Sequence, residues 1–157
     1  MNMSFSEKSA WISLAVVVYI WGDYAIGLYS LHTSSAPLVD KQELILQMIT
    51  TAVIAVIIVE SVFHAVLAMA HPKKTEQQGD ERDRAIALQA TNVAYTILFT
   101  GVIMTIGHLL WVEHFGRATY SSSFNIPFIE VNILLFSALL AEVFRFGFML
   151  KEYRLGV

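Results

Sequence analysis

Cysteine is absent from this chain of 157 residues. Disulfides, thiolate metal sites, cysteine nucleophiles and lipidated cysteines are therefore excluded. Charge is scarce: 15% of residues are Asp, Glu, Lys or Arg, against about 25% in a soluble domain. A net charge of −3 with scattered basic residues excludes nucleic-acid binding. Proline is rare, and Pro37, Pro72 and Pro127 all lie between or at the edges of apolar blocks. There is no G-x-S-x-G elbow, phosphate-cradling glycine loop or H-E-x-x-H, and no internal repeat. No catalytic residue is assigned, and the expectation is a protein that is not an enzyme.

What is abundant is apolar. Hydrophobic residues make up 56% of the chain, and its mean hydropathy is +0.60. They fall in four blocks, Trp11–Leu31, Leu44–Ala70, Ala85–Val112 and Ile126–Leu150. Each meets the roughly 20 residues a helix needs to cross about 30 Å of hydrocarbon. Asn125 with Pro127 two residues on reads as a cap leading into the last block. The first block is too long for a signal peptide, contains Asp23 and lacks a small-x-small cleavage site, so it reads as a retained span. The expected fold is all-α: one membrane domain over residues 1–157, an antiparallel four-transmembrane-helix bundle in contact with membrane lipid.

Basic residues set the expected orientation. Lys8, Lys73, Lys74, Arg82, Arg84, Arg145, Lys151 and Arg154 fall on one side, and only Lys41 and Arg117 on the other. Under the positive-inside rule this bias places both termini and the 2–3 loop in the cytoplasm. Trp11, Trp21, Trp111 and Tyr153 read mostly as interfacial belt residues.

The third block opens on a charged run, Asp80, Glu81, Arg82, Asp83 and Arg84. Asp80 has the place of a helix cap, and Glu81 and Asp83 sit where the helix dipole favours acids. Asp80 and Arg84 have ion-pair spacing, and the arginines hold the span's end in water. Arginines interleaved with the acids argue against a metal. Downstream, Arg82, Ala85, Gln89, Asn92, Thr96, Thr100 and Gly107 share one helix face. Such a small and polar stripe reads first as a packing seam and second as a water-lined path.

Two motifs carry a resemblance. FSEKSAWISL near the start and DERDRAIALQATNVAY before the third span together resemble a family of small four-span bacterial inner-membrane proteins with a D-E-R-D-R-type motif. The family is a domain of unknown function. The resemblance spans most of the chain and implies a fold and an inner-membrane location, but no reaction, cofactor or catalytic residue. YIWGDYAIG departs from the family's pattern by putting Asp23 in the membrane.

Ionisable groups at bilayer depth cost at least about 2.5–3.5 kcal/mol on insertion scales, so each needs a partner or a purpose. Counting about 1.5 Å per residue sorts them into two layers. The inner layer holds Glu60, His64, Asn92 and Glu142, with Arg145 beside Glu142; the outer holds Asp23, His108 and Asn132. Glu60 and His64, four apart, suit a hydrogen bond, a proton relay or a metal pair. The expectation is one buried cluster of Glu60, His64, Asn92 and Glu142. Haem is not expected, because His64 and His108 lie at different depths while His32 and His114 lie at loop ends. No metal or other cofactor is assigned.

Two function classes remain. One is an oligomeric channel, transporter or ligand-binding membrane protein using the buried polar groups, most simply a homo-oligomer. The other is an accessory or regulatory protein that contacts a partner through the charged 2–3 loop.

Overall fold

The computed structural model describes residues 5–35, 37–70, 81–116 and 127–155. Four helices account for them: α1 Phe5–Thr33, α2 Leu38–Ala70, α3 Glu81–Phe115 and α4 Ile129–Leu155. All four are long and apolar enough to cross a membrane. Asp80, His71, Pro72 and Asn125 lie outside the described residues.

The helices outrun their apolar blocks because hydropathy marks only the part suited to hydrocarbon. α2 starts at Leu38 rather than Leu44, since Pro37 presets the first turn and its carbonyl accepts the Lys41 N–H at 3.1 Å. α4 starts later than its block, at Ile129. Before it, Pro127 and Phe128 form a turn in which Phe128 takes the left-handed region, φ 56°. A bulky residue there is strained by about 1–3 kcal/mol, so surrounding contacts must hold it.

Packing gives the helices an order. α3 lies along α4, α4 on α1 and α1 on α2, while α2 and α3 make no extensive contact with each other. The spatial sequence is therefore α2, α1, α4, α3, with α1 and α4 as the inner pair. The contacts along each neighbouring pair run in opposite order. Glu7 meets Arg154 and Tyr24 meets Asn132; Ser13 meets Glu60 and Gly27 meets Met48; Arg82 meets Glu152 and His108 meets Glu130.

α1 is central because it carries the best buried face. Val17, Trp21, Tyr24 and Leu28 recur at three- and four-residue steps, the spacing of neighbours on one helix face. With Ile45 and Ala52 of α2 they form the main core, against which Phe136, Leu139 and Val143 of α4 pack. Trp21 is thus a core residue rather than a belt residue, set edge-on to Tyr24 at 5.6 Å between ring centroids. Trp11 and Trp111 are exposed. Since lipid tails are as apolar as leucine, this burial contributes close packing rather than removal of surface from water.

The α3–α4 seam works by small size. Ile86, Ala90, Ala94, Gly101 and Thr105 are the buried residues of α3, and small side chains let helix backbones approach. A β-carbon on Gly101 would fall on the side chain of Ser137. We predict that Gly101→Ala lowers stability by about 1–3 kcal/mol, the usual range for overpacking. Adding Ser137→Gly, which removes the opposing atoms, should recover most of the loss. Unfolding by denaturing detergent from mild micelles reads both effects.

Candidate functional site

At the end holding the N-termini of α1 and α3 and the C-terminus of α4, the charges are engaged with one another. Arg154 pairs with Glu7 at 3.2 Å and lies over the Trp11 ring at 5.7 Å. Arg82 of the charged motif donates to the Glu152 carbonyl at 3.2 Å, tying α3 to α4. Glu81 and Asp83 occupy the first turn of α3, as their charge favours.

Partners are described for two residues of the inner layer. Glu60 accepts a hydrogen bond from Ser13 of α1 at 3.1 Å. Glu142 pairs with Arg145 on its own helix at 3.3 Å, and that guanidinium also lies 4.6 Å from the Phe146 ring centre. Asn92 is exposed on α3. His64 is part of α2, but its side chain lies outside the described residues. Among the described residues no group of three His, Asp or Glu side chains could hold a metal.

The outer groups also divide. His108 of α3 faces Glu130 of α4 at 3.3 Å. Asn132, buried in α4, accepts from the Tyr24 hydroxyl of α1, and its amide nitrogen donates to the Pro127 and Phe128 carbonyls at 3.3 and 3.0 Å. One side chain thereby joins two helices and holds the strained turn before α4.

Asp23 points elsewhere. It lines an open groove of about 340 Å³ between α1 and α2, together with Tyr19, Tyr24, Gln47, Met48 and Thr51, and its own side chain and those of Tyr19, Gln47 and Thr51 are exposed. The groove arises from side-chain size. Gly27 admits the end of Met48, which closes α1 against α2 toward Thr33 and Leu38. One turn deeper, α2 presents Thr51, Ala52 and Ala55, too small to fill the gap. Among the described residues no cation pairs with the Asp23 carboxylate. Asp23 stands about 24 Å along the axis from Glu7 and about 15 Å from Thr33, which puts it within the hydrocarbon layer.

Such an arrangement can hold a positive charge. The carboxylate supplies charge, the tyrosines supply aromatic faces, Gln47 and Thr51 supply hydrogen bonds, and Met48 and the alanines supply an apolar wall. The volume falls in the usual range for small-molecule sites, about 300–1,000 Å³. Gln47 and Thr51 were not singled out in the sequence. Only the structure sets the register: Ser13 meets Glu60 and Gly27 meets Met48, so Asp23 falls opposite Thr51. No protein-family model, curated protein sequence or solved structure matches the chain.

The Asn132 junction has a measurable energy. Tyr24→Phe should cost about 0.6–1.7 kcal/mol, the range for interhelical hydrogen bonds in membranes. Asn132→Leu should cost more, because it strands the Tyr24 hydroxyl and releases the Phe128 turn. Both are measured by unfolding in mild detergent.

Proposed function

We propose that this is a small multi-pass protein of the bacterial inner membrane that binds an organic cation in the groove beside Asp23. In this reading it is an antiparallel bundle with both termini cytoplasmic, belongs to the four-span family its two motifs resemble, and catalyses no reaction. The orientation is supported by the bias of basic residues toward one side, and antiparallel packing by the reversed order of contacts between neighbouring helices. The binding role is carried by one observation: an acid at hydrocarbon depth, exposed and with no cationic partner among the described residues, lies in an open groove between α1 and α2 large enough for a small molecule. A carboxylate there is costly unless a positive group or water meets it. Ligand binding is the member of the channel, transporter and binding class that a single such groove serves directly. The accessory reading has less support, since Arg82 of the charged motif is already engaged with Glu152 of α4.

Benzyltrimethylammonium and its neutral carbon isostere, neopentylbenzene, test the reading in lipid nanodiscs. The cation should bind measurably tighter than the isostere. Asp23→Asn should weaken cation binding by about ten-fold or more, since the Coulomb attraction between unit charges about 4 Å apart is worth about 1–4 kcal/mol between water and a near-surface dielectric. It should leave binding of the isostere unchanged. Equal binding of both probes, or no effect of Asp23→Asn, contradicts the proposal.

A further inference from the structure

The polar stripe of α3 has an unexpected position. Ala85, Gln89, Asn92, Thr96 and Thr100 are all exposed, while the face against α4 is made by Ala90, Ala94, Gly101 and Thr105. The stripe is therefore not the seam within the chain. α3 packs extensively on α4 alone and stands at one edge of the helix order. A membrane helix normally shows such a face apolar side chains.

The side chains of the stripe differ in what they need. The Thr96 and Thr100 hydroxyls donate to the Asn92 and Thr96 carbonyls at 3.0 and 2.8 Å, so each helix turn satisfies them. The side-chain amides of Gln89 and Asn92 have no hydrogen-bond partner among the described residues. Asn92 is about 16 Å along α3 from Glu81, inside the apolar layer, with Gln89 near its edge. A primary amide there needs both a donor and an acceptor that lipid tails do not offer.

We infer that this face of α3 is the contact surface for a second copy of the chain, with Gln89 and Asn92 hydrogen-bonding across a two-fold axis along the membrane normal. Copies that share a membrane orientation and such an axis bring identical residues to the same depth. Like must then meet like. A side-chain amide, donor and acceptor at once, can pair with its own copy, whereas a carboxylate or ammonium repels its own. Between Ala85 and Gly107 the chain has no Asp, Glu, Lys, Arg or His, so no charge within that stretch opposes a symmetric pair, and Arg82, at the end of the same face, reaches toward Glu152 of α4. Thr96 and Thr100, internally satisfied, extend the contact without further demand. This surface lies on α3 and is independent of the groove between α1 and α2.

Because the chain lacks cysteine, single-cysteine cross-linking in native membranes has no background from the protein itself. Thr96→Cys leaves both amides in place and should form a disulfide-linked dimer on mild oxidation. Leu140→Cys, on an exposed position of α4, should not. Adding Gln89→Leu and Asn92→Leu to Thr96→Cys should weaken dimerisation by about ten-fold, read as the fraction cross-linked across protein-to-lipid ratios. Circular dichroism of the purified variant checks that its helices persist. Cross-linking at Leu140→Cys but not at Thr96→Cys overturns the inference, as does a Thr96→Cys cross-link to a different protein. A dimer fraction indifferent to loss of both amides overturns it equally.

Discussion

Hydrocarbon offers no hydrogen-bond partner, and this constraint orders the molecule. The backbone answers it by forming long helices. Side chains answer it in three ways: some bond back to their own helix, some bond to a neighbouring helix, and some are left facing a groove or the outside. Thr91, Thr96, Thr100 and Thr105 take the first route, each donating to the carbonyl one turn before. Tyr24 with Asn132 and Ser13 with Glu60 take the second, and His108 stands within ion-pair distance of Glu130. Asp23, Gln89 and Asn92 are among those that take the third, and the functional proposals concern these three.

The same constraint explains why α1 and α4 are central. The interhelical polar links of α1 reach α4 through Asn132 and Arg154 and α2 through Glu60, while α3 is linked to α4 through Arg82 and His108. Polar contacts thus follow the order set by apolar packing, α2, α1, α4, α3. Local choices and overall arrangement agree, as a sequence that specifies one structure requires. Asp23 and the α3 stripe depart from that agreement, and such departures mark candidate functional positions.

The four spans were legible in the sequence, because a run of apolar residues long enough to cross a bilayer has few other uses. The helix order was not. In α1, buried Val17, Trp21 and Leu28 and exposed Tyr19, Ile26 and Tyr29 are alike in polarity, so no contrast tells core from lipid. Trp21 reads as a belt residue in the sequence for that reason, since a belt tryptophan and a core tryptophan look the same. The α3 stripe reads as a packing seam, but a polar stripe does not say whether its partner lies within the chain. Depth counting placed Glu60, Asn92 and Glu142 at one level, but depth alone names no partner. The angle around the bundle, set by packing, gives Glu60 to Ser13 and Glu142 to Arg145.

The central claim is that Asp23 makes an accessible, cation-selective site inside the membrane. Reactivity of Thr51→Cys in proteoliposomes tests it most directly, against Ile57→Cys on an exposed position of the same helix. The reagents are small methanethiosulfonates, one bearing trimethylammonium and the other sulfonate. The account predicts labelling at Thr51→Cys and not at Ile57→Cys, with the cationic reagent faster by about ten-fold through attraction to the carboxylate. That preference should vanish when Asp23→Asn is added. A Thr51→Cys thiol as inert as Ile57→Cys, or one equally reactive to both reagents, would contradict the account.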